Sequence, residues 1–261
     1  MPEVNPYKPP VAHVEDVASP GADAGSFING GRAVAAGRGW AWVTGSFDLF
    51  KARPGTWILI VIVLGLVFIG LGLVPFVGTL ATWVLFPVFT GGIMLGCRAL
   101  ARDGELRVGH VFAGFQTRAG DLVVIGVLSI VAWIIVLIPL MLIVGVSVFL
   151  GFLSGDPDVV AKLGINFLLG LLITLGLSVP VYMALWFAPA LVVLHEIPPV
   201  AALKQSFGGC LKNIVPFLVY GVVMLVLSVV AMLPLFLGLL VIVPMTLASV
   251  YVAYRDIYFE N

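Results

Sequence analysis

Charge is scarce in this chain, and its placement says more than its amount. Only 10% of the 261 residues are Asp, Glu, Lys or Arg, against about 25% in an ordinary soluble domain. With 61% hydrophobic residues the chain could not cover a water-facing surface, so its solvent is a bilayer. The net charge of zero removes the basic footprint of a nucleic-acid binder, and no nucleic-acid partner is expected. There are two cysteines, Cys97 and Cys210. Each lies close to a cation (Arg98, Lys212), on the side assigned below to the reducing cytosol, so no disulfide is expected. The three histidines, His13, His110 and His195, are far apart, which leaves no metal-ligand spacing and no cofactor.

Four stretches have no Asp, Glu, Lys or Arg at all: 54–97, 122–155, 163–194 and 213–254. An ionisable residue inside the membrane is the usual mark of a proton relay or coupled ion pathway, and none is present there. The serines within these runs (Ser129, Ser147, Ser178, Ser228, Ser249) have no histidine or carboxylate beside them. No catalytic residue is therefore assigned and no enzymatic activity is expected; these hydroxyls suit bonds to their own helices. Asn166 and Tyr182 are the most polar groups of the fourth apolar helix and fit helix packing.

The runs also fix the number of spans. A spanning helix needs about 20 apolar residues. The first and last runs, 44 and 42 residues long, each hold two helices. Their breaks fall at "LVPFVGT", where Pro75 and Gly78 are turn formers, and near Pro234. The middle runs each hold one long or tilted helix, separated by "SGDPDVVAKLG". The expected fold class is all-α: a polytopic membrane bundle of six helices in three hairpins, at about 55–75, 79–99, 121–150, 164–194, 213–233 and 235–256. A β-barrel is excluded by the lack of period-two alternation.

With six spans, twelve cations (Lys8, Arg32, Arg38, Lys51, Arg53, Arg98, Arg102, Arg107, Arg118, Lys204, Lys212, Arg255) share one side with both termini, and only Lys162 lies on the other. By the positive-inside rule that side is cytoplasmic, with the chain multi-pass in a bacterial inner membrane. Residues 1–33 lack an apolar core and read as a disordered cytosolic tail rather than a signal peptide. Its "NPYKPP" could offer a polyproline-like docking segment.

Three short amphipathic segments precede the hairpins. Their apolar sides are read as Trp40, Val43, Phe47 and Phe50; Val108, Val111, Phe112 and Phe115; and Val200, Leu203, Phe207 and Leu211. Too short to span, they suit helices lying in the headgroup region. Each shares a pattern: a small or polar residue, a Phe (47, 115, 207), a cation and an apolar run, as in "GSFDLFKARPG", "AGFQTRAGD" and "QSFGGCLKNIVP". The first and third continue in parallel, pairing Ser46 with Ser206, Pro75 with Pro234, Pro87 with Pro244 and Arg98 with Arg255. Gly92 and Gly96 match Ser249 and Ala253. This is an internal repeat.

A proline eleven positions before the terminal arginine lies about 16 Å along a helix, near the bilayer midplane. There it bends the helix and frees a carbonyl, which Thr90 or Thr246 could satisfy, while the small residues permit close helix approach. Pro180 is the matching proline of the looser middle hairpin. Trp57 and Trp83 fit interfacial belts; Trp133 and Trp186 fit packing. "YVAYRDIY" reads as a boundary anchor with Arg255 on Asp256 or on a lipid phosphate.

The pattern "WFAPALVVLHEIPPVAALKQSF" with the closing "YVAYRDIY" resembles a family of six-span bacterial inner-membrane proteins of unassigned activity. More distantly it is similar to the membrane domain fused to some glycerophosphodiester phosphodiesterases. The matching positions are Ala188, Pro189, Leu203, Lys204, Ser206, Phe207, Tyr251, Tyr254, Arg255 and Asp256. The resemblance implies the fold over about residues 33–258 and no phosphodiesterase activity, since no catalytic domain is present.

The functional expectation is a non-enzymatic membrane module that binds membrane lipids, or a protein partner or second copy, through its basic aromatic rim. The residues assigned to such contacts are Phe47, Lys51, Arg53, Arg98, Phe115, Arg118, Lys204, Phe207, Lys212, Tyr254 and Arg255. Pro87, Gly92, Gly96, Pro180, Pro189, Pro244, Ser249 and Ala253 are assigned to kinks and packing. The alternative is a permease or channel for a neutral or apolar solute. A polar-lined cavity between the second, fourth and sixth helices would favour it; a packed centre would favour the module.

Overall fold

The computed structural model describes residues 25–154 and 159–260. Most of the expected tail, "NPYKPP" included, and the loop around Pro157 fall outside them. Among the described residues the chain is helical, with one isolated antiparallel bridge, Phe27 to Phe259.

Six helices are long and apolar enough to cross a membrane. In chain order the elements are α1 (Arg38–Ala52), α2 (Pro54–Gly72), α3 (Val77–Asp103), a 3-10 turn (Val108–Phe112), α4 (Ala113–Gln116) and α5 (Ala119–Ser154). They continue with α6 (Val159–Trp186), α7 (Ala188–His195), α8 (Pro199–Lys212), α9 (Ile214–Met232) and α10 (Leu239–Tyr258). Local chemistry sets several ends. Pro54 and Pro199 open α2 and α8, where a missing N–H costs nothing. Gly104 closes α3 in the left-handed conformation. The turns at the far end rely on glycine for close approach. A Cβ on Gly78 would stand 1.7 Å from the Leu71 carbonyl oxygen, and one on Gly238 2.5 Å from the Ala231 Cα. Each glycine packs seven residues back along the chain, a repeat feature invisible in the proline and cation spacing.

The expected fourth helix is broken. α6 ends at Trp186 and α7 starts at Ala188, with Pro189 in its first turn. Proline cannot donate within a helix, so the ladder must be satisfied from outside. Ser206 of α8 does this: its hydroxyl donates to the Met183 carbonyl (2.7 Å) and accepts from the Phe187 N–H (2.9 Å). Pro180, expected to match Pro87 and Pro244, is exposed on α6, whereas Pro189 is buried as they are. The threonines miss the freed carbonyls: Thr90 donates to Phe86 and Pro87, and Thr246 to Ile242.

Burial is concentrated where α3, α7 and α10 approach one another. Val88, Ile93, Met94, Leu191, Val192, Tyr254 and Ile257 are all at most 2% exposed. Around them the short helices form a collar. α1 packs on α9 and α10, the 3-10 turn and α4 pack on α3, and α8 packs on α6 and α7. Each short segment thus lies against the helix that ends the preceding unit, and the first closes on the last. Gly92 and Gly96 serve this contact: Cβ atoms there would meet the His110 and Val111 carbonyl oxygens at 2.4 and 2.8 Å, and the His110 Cβ at 3.0 Å. Small residues on α3 therefore admit the backbone of a short segment.

The apolar sides expected to lie in the headgroup region are divided between the protein interior and the exterior. In α1 the buried residues are Gly39, Trp42, Val43, Ser46 and Phe50; in α8 they are Ala202, Ser206, Gly209 and Cys210. Trp40, Phe47, Phe112, Phe115, Val200 and Leu211 are exposed. Small residues face protein because the helices approach closely. Trp42 and Phe50 are buried beside them, while the exposed apolar side chains just named face outward, toward what is lipid in a membrane-bound chain.

Candidate functional site

The collar end of the molecule carries the polar chemistry, and its best-defined feature is a knot around Asp256. This carboxylate is only 4% exposed. Arg38 holds it in a two-pronged pair, Nε to Oδ2 and Nη2 to Oδ1, both at 2.7 Å. The indole Nε1 of Trp42 donates to Oδ2 at 2.8 Å. Arg32 donates from Nε to the Asp256 backbone oxygen at 3.0 Å, with its Nη2 3.9 Å from Oδ1. Burying a carboxylate is tolerable only with this degree of pairing. The bond to Asp256 raises the Arg38 pKa above its ordinary value. Arg255, read as a partner for Asp256 or for a lipid phosphate, lies over the Phe259 ring, 4.5 Å from its centroid.

Next to the knot, residues 26–34 are fastened across the end of α10 and the α8–α9 junction. Ile28 and Arg32 donate backbone N–H groups to the carbonyls of Tyr258 and Ile257. Asn213, fully buried, accepts from the Val34 N–H and donates to the Arg32 and Gly209 carbonyls. Lys212 donates to the Gly30 and Gly31 carbonyls at 3.0 and 2.7 Å. Phe27 stacks on His195 at 4.0 Å, and His195 is hydrogen-bonded to Tyr254. The tail therefore does not reach residue 33 as expected: residues 25–33 form an ordered strap.

The residues assigned to lipid or partner contact divide into two groups. Tyr254 is fully buried and cannot meet lipid; Tyr251 and Tyr258 are buried with it, so "YVAYRDIY" is core rather than anchor. Lys212 is committed to the strap, and Arg53 donates to the Gly104 carbonyl. Arg118 bridges Asp121 at 2.7 Å and the Glu196 carboxylate at 3.6 Å. Arg98 is half-buried on α3, and Phe207 is half-buried on α8.

What faces outward is Phe47, with Lys51 over its ring at 4.9 Å and paired to Asp48, together with Phe115 and Lys204. Lys204 is exposed and has no hydrogen bond or ion pair among the described residues. Trp57, expected at an interfacial belt, is fully buried and donates to the Leu49 carbonyl. Ser249 bonds Tyr220 across helices, Ala253 is buried, and Asn166 donates to Ser147 between α5 and α6.

Chemically the collar is quiet. No group of three or more His, Cys, Asp or Glu among the described residues could hold a metal. Burial pushes the Cys210 thiol up to about 12, so it is a poor nucleophile. His110 accepts from the Arg107 N–H, and its pKa is lowered first by burial and then by the Arg107 charge. Sequence reasoning missed Asp256, Arg38, Trp42 and Asn213 as a set. The available signal was Asp256 itself, an acid at the end of an apolar helix.

The chain is similar to a curated protein of Burkholderia thailandensis named "Probable inner membrane protein". The two are 28% identical over 204 residues, covering 75% of each chain. No family model matches the chain, and no solved structure matches it.

Proposed function

We propose that the chain is an integral protein of a bacterial inner membrane, with six spans in three hairpins, each entered through an interfacial helix, and with both termini in the cytoplasm. Its work is non-enzymatic: it binds membrane lipid through the outward face of the collar, where a protein partner or second copy could join it. The six apolar helices, the name of the similar Burkholderia protein and the one-sided cations support the membrane placement.

The observation carrying the lipid reading is the filled centre between α3, α7 and α10. Ile93, Met94, Leu191 and Tyr254 are sealed there, which leaves a solute no polar route. Exposed cations and aromatics lie instead on the collar surface: Lys204, and Phe47 with Lys51, whose ammonium also pairs with Asp48.

The test is lipid analysis of the intact protein purified in a gentle detergent. Phosphatidylglycerol is expected to co-purify, and its retention should fall several-fold in the Lys51→Glu/Lys204→Glu variant. Lys212 is left unchanged because it fastens the strap. Retention of no lipid by the unmodified protein overturns the reading.

A further inference from the structure

Outside the packed centre, α6, α8 and α9 leave a groove of about 270 Å³ between them. Val179, Tyr182, Met183 and Trp186 form one wall, Ile214, Phe217 and Leu218 the other, with Cys210 at the α8 end. Nothing in the lining is charged. Val179, Tyr182, Ile214 and Leu218 are about half exposed or more, so the groove is continuous with the outward apolar faces of two spanning helices. In a bilayer such a face meets acyl chains. At one end the groove is level with the start of α9, where the apolar run begins; Val179 and Leu218 lie deeper along their helices.

One feature distinguishes this groove from an ordinary furrow between helices. The indole N–H of Trp186 is buried and has no hydrogen-bond partner. Its ring is held edge-on to Phe217 at 5.7 Å and Tyr220 at 6.2 Å. A buried donor without an acceptor is costly, and in hydrocarbon no water compensates. Phe217 offers no acceptor, and the Tyr220 hydroxyl is engaged with Ser249 at 2.7 Å. The groups a bilayer offers at the level where α9 begins are the ester carbonyls joining acyl chains to glycerol.

We propose that this groove binds one acyl chain of a diacyl phospholipid, with the Trp186 ring turning so that Nε1 donates to its ester carbonyl. The site deepens the lipid-binding reading, on which it rests: the collar cations would select the headgroup, and the groove selects the ester-linked chain. An apolar chain with one uncharged acceptor at its head matches a lining without charge beside the unpaired Trp186 donor. An ether-linked chain fills the same space and leaves the donor unpaired.

The experiment uses full-length protein, delipidated in detergent and titrated with 1-palmitoyl-2-oleoyl-phosphatidylglycerol or its diether counterpart, with bound lipid counted by native mass spectrometry. The unmodified protein is expected to bind the ester lipid about five-fold more tightly, the scale of one neutral hydrogen bond. Trp186→Phe should erase that preference. Leu218→Trp, at a membrane-facing position where a larger ring is tolerated, should fill the groove and weaken both lipids.

Equal affinity for ester and ether lipids in the unmodified protein overturns the groove assignment, even where lipid retention still depends on Lys51 and Lys204. Displacement of the phospholipid by a benzoquinone with an isoprenoid tail overturns the choice of occupant. Failure of the unmodified protein to bind phosphatidylglycerol at all overturns both readings.

Discussion

Asp256 decides more than any other single residue at the collar. It joins α10 to α1 and to the strap, through partners 214 to 224 positions away. Asp256→Ala leaves the Trp42 N–H unpaired inside the protein and strips the counter-charge from Arg38 and Arg32. Arg38 is 44% exposed, so water recovers part of the loss, and the expected destabilisation is about 2 kcal/mol rather than the full cost of breaking a buried pair. A drop in melting temperature in detergent, smaller for Asp256→Asn, which keeps an acceptor for Trp42, checks this.

His110 gives the second residue-scale expectation. Its folded pKa lies below the ordinary 6.5, so near that pH the folded state binds fewer protons than the unfolded one. Stability from this site is present above about pH 6.5 and is lost as pH falls through the folded value. Melting curves between pH 8 and pH 5 should show an acid-side decline that His110→Gln reduces.

At the scale of elements, the α6–α7 break and the close contacts of the collar carry the argument. Ser206 is the side chain inserted into an interrupted ladder. Ser206→Ala leaves the Met183 carbonyl and the Phe187 N–H without their partner, at about 2 kcal/mol, and should lower the melting temperature while leaving overall helicity by circular dichroism unchanged. The elements themselves were largely legible in the residues. Charge-free runs bounded the apolar helices, and Pro54, Pro199 and Gly104 mark helix ends. Less legible was the direction each short helix faces. Spacing of large apolar residues grouped Trp40 and Phe47 with Val43 and Phe50 on one side facing the headgroup region, whereas Val43 and Phe50 are buried in the protein and only Trp40 and Phe47 are exposed; in a membrane the outward face is apolar too, so the apolar stripe does not mark the core. The inward face is marked instead by Gly39, Ser46, Ala202 and Gly209, because closely approaching helices need small side chains.

For the whole molecule, the consequential feature is closure of the collar, with α1 against the last two helices. It ties the first described residues to the last, so the three repeated units form one body instead of a row. The Gly45 Cβ position lies 3.9 Å from the Val252 Cβ, a separation suited to a disulfide. In a Gly45→Cys/Val252→Cys variant, mild oxidation should join α1 to α10. With a protease site placed in the loop after Ser154, the two halves should then stay together on a non-reducing gel and separate on reduction. The native thiols are both buried and should not compete. Halves that separate before reduction would mean that the ring does not close in the membrane.

The sequence by itself determined the solvent and the number of apolar helices among the described residues. These depend on composition and on spacing along one chain, and hydrocarbon tolerates neither charge nor unpaired backbone. Only the tertiary structure decided that Tyr254 is core, that Lys212 holds a strap, that Asp256 is claimed by Arg38 and Trp42, and that Trp186 is left with an unpaired donor beside a groove. Each of these turns on which helix faces which in space, and that choice is made by close packing of small residues, which no local periodicity records.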